Sequence, residues 1–307
     1  MLFRSSFIPI NDVIFEHRTY LPSVGFFLIL SSGIWVLFAK KNKNLAISIL
    51  VLIAVSNSFL TYRRNSIWKD DLTLWSDNVI KAPGKARPIH NRGFAHRNLQ
   101  QWDMTLADYT KSLEINPDYV AALSDRGVVY GHFGQWDKAI DDYTRAISVD
   151  PGYSTAWYNR GVAYGTLHQW DKALSDYTRS ININPKSAIA YSNRAAVYEF
   201  LQKWDKAIGD YSKAIALDPE SGSEYYNRGV VYASLGNWNK AITDYANAIR
   251  IDPGFKEAYL NRGVAYGNLG QWANAVTDFS KTLEIDPNYA VASADRELAL
   301  QKLKEKK

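Results

Sequence analysis

The chain has 307 residues, no cysteine, 22% charged residues and a formal net charge of +5. The absence of cysteine excludes a disulfide framework and fits either redox compartment. Residues 1–69 carry eight Lys/Arg against two Asp/Glu, whereas residues 70–307 carry 28 against 29, so the larger part is near neutral and lacks the basic footprint of a nucleic-acid binder.

In chain order, residues 1–22 precede two uncharged stretches, Ser23 to Ala39 and Leu45 to Tyr62. Each is close to the length that spans a hydrocarbon core of about 30 Å. The basic stretch Lys40-Lys41-Asn42-Lys43-Asn44 joins them. The pattern predicts a two-span transmembrane helical hairpin over 23–65, in contact with the lipid bilayer through residues 23–62. A cleaved signal peptide fits poorly, because two spans occur and no small-residue cleavage site precedes the second. The Lys-rich loop favours a cytoplasmic turn with both ends outside, a bias weakened by Arg63, Arg64 and Lys69 beyond the second span.

Behind the spans the chain becomes periodic. Asn91-Arg92-Gly93, Asp125-Arg126-Gly127, Asn159-Arg160-Gly161, Asn193-Arg194-Ala195, Asn227-Arg228-Gly229 and Asn261-Arg262-Gly263 are spaced by 34 residues, with a partial copy at Asp295-Arg296. With the Gly as position 8, Tyr follows at position 11, Trp at 17, Ala at 20, an aromatic at 24 and Pro at 32. A 34-residue period marks stacked helix–turn–helix units. Small residues let helices approach closely, and aromatics fill the space around that contact. Asp103, Asp137, Asp171 and Asp205, each directly after the Trp, are placed to cap the second helix. The Asn/Asp-Pro pairs should end it, because a residue before proline avoids the α region. Stepping back 34 residues from Trp102, Tyr109 and Pro117 gives Trp68, Trp75 and Pro83. Residues 66–85 therefore read as a half-repeat, a lone second helix joining the spans to the array without a Gly/Ser-rich tether. Six full units follow over 86–289, and 290–307 is a polar capping helix that runs into Lys302, Lys304, Lys306 and Lys307.

This series resembles the tetratricopeptide repeat family across about two-thirds of the chain. The resemblance implies an all-α right-handed superhelix whose first helices line a concave face that binds protein or peptide segments. One departure is systematic: position 7 is Arg in every unit. Position 23 is Asp in every unit (Asp108, Asp142, Asp176, Asp210, Asp244, Asp278). Two matched ladders of opposite charge predict an ion-pair spine, Arg meeting Asp of the same or the preceding unit.

On the implied concave face, position 6 supplies Asn91, Asp125, Asn159, Asn193, Asn227 and Asn261, and position 5 supplies Tyr158 and Tyr226 among its members. Amides donate and accept, so this row can read an extended peptide backbone or, alternatively, bond to neighbouring helices. Position 9 is apolar, which rejects the carboxylate-clamp pattern of some repeats of this family.

The string from Asn11 to Phe26, containing Glu16-His17-Arg18-Thr19-Tyr20-Leu21-Pro22-Ser23, with Arg63-Arg64-Asn65, Trp68, Leu74-Trp75 and Pro83, resembles the junction region of the transmembrane-and-TPR O-mannosyltransferases and their bacterial relatives. Those are GT-C type enzymes with a polyprenyl-phosphate sugar donor and repeats on the lumenal or periplasmic side. The resemblance implies a periplasmic or lumenal array, a lipid-phosphate contact at Glu16 and Arg18, and a membrane glycosyltransferase complex as partner. It also implies that the catalytic spans are missing, so that the chain corresponds to a C-terminal piece of such a protein. No phosphate loop, nucleophile elbow or metal-spaced His/Glu cluster occurs, and His17, His90, His96, His132 and His168 share no repeat position. No catalytic residue, metal or cofactor is expected. The sequence supports a membrane-anchored, non-enzymatic interaction scaffold first and the acceptor-recognition part of a glycosyltransferase second.

Overall fold

The computed structural model describes residues 32–37, 42–67 and 69–305, which form two compact units, residues 1–81 and 82–307. Residues 1–31 and 38–41, with Glu16 and Arg18, lie outside the described residues, as do Trp68 and residues 306 and 307. All regular structure among the described residues is helical.

In the first unit, residues 32–37 of the expected first span are helical. Helix α1 (Lys43–Ile67) is, among the described residues, the one helix long and apolar enough to cross a membrane. Its apolar window runs from Lys43 to Leu60, has a mean hydropathy of 1.7 and is almost wholly exposed. Of the two spans in the expected hairpin, one is therefore present as a complete apolar helix. The helix also starts earlier than the uncharged run, at Lys43. The cause is local: the Asn42 side chain accepts the Leu45 N–H at 3.1 Å and caps the first turn. Helix α2 (Asp71–Lys81) is the expected lone second helix. It starts three residues after the repeat register would place it, because Asp70 accepts the Thr73 N–H at 2.8 Å and sets the N-terminus there. Trp75, at the position-24 site, is buried.

The second unit contains six helix pairs and a terminal helix. The first helices of the pairs are α3 (Ala86–Asn98), α5 (Val120–His132), α7 (Ser154–Thr166), α9 (Ala188–Phe200), α11 (Gly222–Ser234) and α13 (Lys256–Asn268). Their partners are α4 (Trp102–Ile115), α6 (Trp136–Val149), α8 (Trp170–Ile183), α10 (Trp204–Leu217), α12 (Trp238–Ile251) and α14 (Trp272–Ile285), and α15 (Ala290–Glu305) closes the stack. Each first helix packs on its own partner, and each partner packs on the next first helix.

Sequence locates the ends of these helices, but two devices differ from expectation. Position 15 takes a left-handed conformation in every unit, with φ of 54–70° at Gln100, Gly134, His168, Gln202, Gly236 and Gly270. The N–H of the next residue then returns to the position-11 carbonyl, as in Gln135 to Tyr130 at 2.8 Å. This terminates the first helix by a Schellman-type closure. The Trp is the first residue of the second helix, so the residue after it is too far inside to cap. Gln101, Gln135, Gln169, Lys203, Asn237 and Gln271 hold the cap positions, and none makes a side-chain cap bond. Asp103, Asp137, Asp171 and Asp205 instead sit in the first turn, where a carboxylate favours the positive end of the helix dipole. The cost of left-handed backbone at a non-glycine residue gives a direct expectation. His168→Gly and Gln202→Gly should each raise stability by about 1 kcal/mol, read as an upward shift of the urea midpoint; a fall in the midpoint would refute that account.

At the far end the expectation holds. The residue before each proline is extended, with φ near −130° at Asn116, Asp150 and Asp286. Its side-chain oxygen also accepts the N–H two residues on, for example Gly152 to Asp150 at 2.8 Å. This Asx turn recurs in all six units and makes the Asn/Asp of the pair as structural as the proline.

The core is layered. One layer places the position-20 alanine and position-24 aromatic against the next unit, as with Ala173, Tyr177 and Val197. A Cβ on Gly93, Gly127, Gly161, Gly229 or Gly263 would lie 2.5–2.9 Å from the ring at position 24, so the close approach of the two helices requires glycine there. In α15, Glu297 occupies that position. A helix packed as closely as the six partners would meet its side chain, so Glu297 blocks the same packing on this face.

Candidate functional site

The Arg and Asp ladders form one spine. In all six units Arg Nε donates to Asp Oδ2 of the same unit at 2.7–2.8 Å (Arg92–Asp108, Arg126–Asp142, Arg160–Asp176, Arg194–Asp210, Arg228–Asp244, Arg262–Asp278), and an Nη donates to the other oxygen. The fork is bidentate, the strong form of the pair. In three units a second Nη reaches a hydroxyl on the preceding second helix: Arg160 to Thr144, Arg194 to Thr178 and Arg228 to Ser212, at 2.9–3.0 Å. The spine therefore ties each pair internally by charge and ties neighbours by a neutral bond. The position-4 and position-11 aromatics flank the guanidinium, as Trp157 and Tyr164 do for Arg160 at 5.0 and 5.7 Å. Every Asp of the spine is buried. Both oxygens of each Asp accept from the Arg of the same unit, so the ladder ties the pair together structurally. The seventh arginine, Arg296, has no second helix to supply a carboxylate, and its Nε is buried without a hydrogen bond.

First helices of successive units also approach one another, at α5–α7, α7–α9, α11–α13 and α13–α15, whereas no pair of second helices comes comparably close. The first helices therefore occupy the inner side of the curve, which puts the position-5 and position-6 rows on one face. Most of the position-6 row is committed to the position-5 residue of the unit before. Asn193 Nδ2 donates to the Tyr158 hydroxyl at 2.9 Å, Asn261 to Tyr226 at 3.0 Å, and Asn159 to Ser124 Oγ at 3.3 Å. Asp125 Oδ2 pairs with His90 Nε2 at 2.8 Å, and Oδ1 with Arg97 at 3.4 Å. Asn91 Oδ1 lies 3.3 Å from His90 Nδ1. With Asp125 so engaged, the fully buried Tyr109 hydroxyl has no partner. Asn227 is the exception in the row, with no side-chain partner and an amide that reaches solvent.

Sequence reasoning put positions 5 and 6 on one face. It did not show that Tyr158 and Tyr226 serve as acceptors for Asn193 and Asn261, because the 35-residue offset of each pair follows only from the stacking. It also passed over Glu199 and Glu224. Glu199 accepts the Tyr211 hydroxyl at 2.9 Å, and burial holds its carboxyl above the usual range. Burial would also raise Glu224, but hydroxyls of Ser221, Ser223 and Ser192 outweigh it and hold that carboxyl below its usual value. The readable signal was their position: position 12 is Gly or Ala in four other units, and position 3 is Ala in all but the first. The position-24 tyrosine hydroxyls, including Tyr143, Tyr177 and Tyr245, are pushed up by burial and stay neutral. Among the described residues no group of His, Asp and Glu has metal-binding geometry.

Three family profiles match. One described as "TPR repeat" covers residues 134–168 and 231–270; two described as "Tetratricopeptide repeat" cover 154–187, 188–221 and 257–289, and 108–141. The chain is 26% identical over 118 residues to protein O-mannosyl-transferase TMTC3 of Homo sapiens, a match over 38% of this chain and 13% of that protein. It is 28% identical over 126 residues to protein O-mannosyl-transferase F38B6.6 of Caenorhabditis elegans, over 37% of this chain and 17% of that protein. The matched part thus spans less than a fifth of these relatives. Among solved structures, MamA protein is 30% identical with a TM-score of 0.52, over 56% of this chain and 93% of MamA. YrrB, described as a TPR protein with an unusual peptide-binding site, superposes with a TM-score of 0.55 at 20% identity, over 62% of this chain and 97% of its own. The matched profiles cover more than half of the sequence and coincide with the helix pairs, so the chain belongs to the tetratricopeptide repeat family.

Proposed function

We propose that the chain is a membrane-anchored interaction scaffold that takes an extended peptide or protein segment along the inner face of its helix pairs. The observation that carries this reading is the face itself: seven first helices side by side, lined by amides, hydroxyls and small apolar side chains, with backbone-reading groups at regular spacing. The exposed apolar window of α1 supports the anchor. Purified protein is expected to bind immobilised random decapeptide pools saturably, and Val162→Arg with Val264→Arg, which place charge and bulk on the inner face, should abolish that binding. No saturable binding to any pool would overturn the groove reading.

A second reading is favoured by the similarity to protein O-mannosyl-transferases. The array would then be the acceptor-recognition part of a membrane glycosyltransferase assembly and would stand on the periplasmic or lumenal side, with Glu16 and Arg18 near a lipid phosphate. The side of the membrane is measurable, because the chain has no cysteine and Lys307→Cys adds a single reporter. Labelling by an impermeant maleimide on intact cells is expected. Labelling only after lysis would place the array in the cytoplasm and remove the basis for the second reading.

A further inference from the structure

The units depart from their own consensus together at one place, the junction of the fourth and fifth. Position 8 is Gly in the other five units and Ala195 in the fourth. A Cβ at the equivalent glycines meets the position-24 ring below 3 Å, and in the fourth unit Ala195 places that Cβ against Tyr211. In the units on either side the position-24 hydroxyl interacts with the next position-6 amide, Tyr177 with Asn193 and Tyr245 with Asn261. Tyr211 turns to Glu199 instead, and Asn227, the amide it would have met, is left free. Position 3, a fully buried alanine in α5, α7, α9, α13 and α15, is Glu224 in α11.

Three consequences meet on this face. A backbone-reading amide is unpaired, and two carboxylates, Glu199 and Glu224, have no cationic partner among the described residues. Phe200, next in the chain to Glu199, is 64% exposed. Elsewhere in the array, the more deeply buried carboxylates of the spine are matched by arginine. A half-buried carboxylate satisfied only by hydroxyls still gains from an opposite charge. Local rules that fail together in an otherwise regular repeat are expected where function overrides packing.

We propose that the junction of the fourth and fifth units is the specificity point of the groove, where an extended segment places a lysine or arginine side chain beside Glu199 and Glu224, an adjacent apolar side chain on Phe200, and its backbone on the Asn227 amide. The inference rests on the groove reading above and adds to it the chemistry of the occupant. Charge complementarity selects the cation.

The test uses the purified 307-residue chain in mild detergent and decapeptide pools that are random except at one central position, fixed as Lys, Arg, Leu or Glu. Pools fixed as Lys or Arg should bind about tenfold or more tighter than those fixed as Glu, the scale of a charge-assisted hydrogen bond. Glu199→Gln with Glu224→Gln, which conserve shape, should erase that preference while leaving binding of the Leu pool within about twofold, the level expected when no charged contact is removed. Asn227→Leu should weaken the Lys, Arg and Leu pools alike. Equal binding of all pools, or a cationic preference that survives the double substitution, overturns this proposal and leaves the groove reading standing. Failure of every pool to bind overturns both. The circular dichroism melt of each variant confirms folding; should the double variant fail to fold, Glu199→Gln alone with the same pools carries the test.

Discussion

Asp176→Leu is expected to destabilise the array by about 3 kcal/mol, because it leaves a charged partner stranded in a largely buried position. The side chain of Arg160 is 14% exposed and that of Asp176 5%, and the pair is bidentate at 2.7 and 3.0 Å. Removing the carboxylate strands the guanidinium between Trp157 and Tyr164, where water can replace few of its bonds. The double variant Arg160→Leu with Asp176→Leu should cost clearly less than the sum of the two single changes, since no unpaired charge remains. Repeat arrays distribute stability over neighbouring units, so the loss should appear in hydrogen exchange as reduced protection of α7 and α8 first. A single-variant loss below about 0.5 kcal/mol would mean that the spine behaves like an ordinary surface pair and that shape, not charge, holds the units together.

Gly161→Val is expected to cost about 2–3 kcal/mol by overpacking. A Cβ at this site would stand 2.9 Å from Cδ1 and Cε1 of Tyr177. That ring is only 3% exposed and is enclosed by Ala173, Val197, Tyr158, Val162 and Tyr164. It therefore has little room to retreat. The helix-propensity gain on leaving glycine is well under 1 kcal/mol and does not offset the clash. The fourth unit carries the complementary experiment, since Ala195 already holds a Cβ there and Tyr211 has redirected its hydroxyl. Ala195→Gly should therefore be close to neutral in stability while freeing Tyr211 to bond Asn227. Matching urea midpoints for Gly161→Val and the parent chain would show that the ring position is softer than its burial suggests.

These two expectations mark how far the sequence alone reaches. The 34-residue period, the small residue at position 8, the aromatic at 24 and the Asn/Asp-Pro pair were sufficient for the helix pairs and their order, because each is a local or near-local constraint repeated six times. The pairing of Arg92 with Asp108 and its five counterparts was also legible, since two ladders of opposite charge inside one unit have few other ways to meet. The helix ends were less so. Left-handed backbone at position 15 is held in three units by Gln or His and not glycine, so composition there did not announce it, and the Asp expected to cap four of the second helices lies two residues past the cap position. The inner face was decided only by stacking. That Asn193 meets Tyr158, that Asn261 meets Tyr226 and that Asn227 meets nothing are facts about distances between neighbouring units. A one-dimensional period records which residue recurs, but the partner each one finds depends on how closely two helices stack.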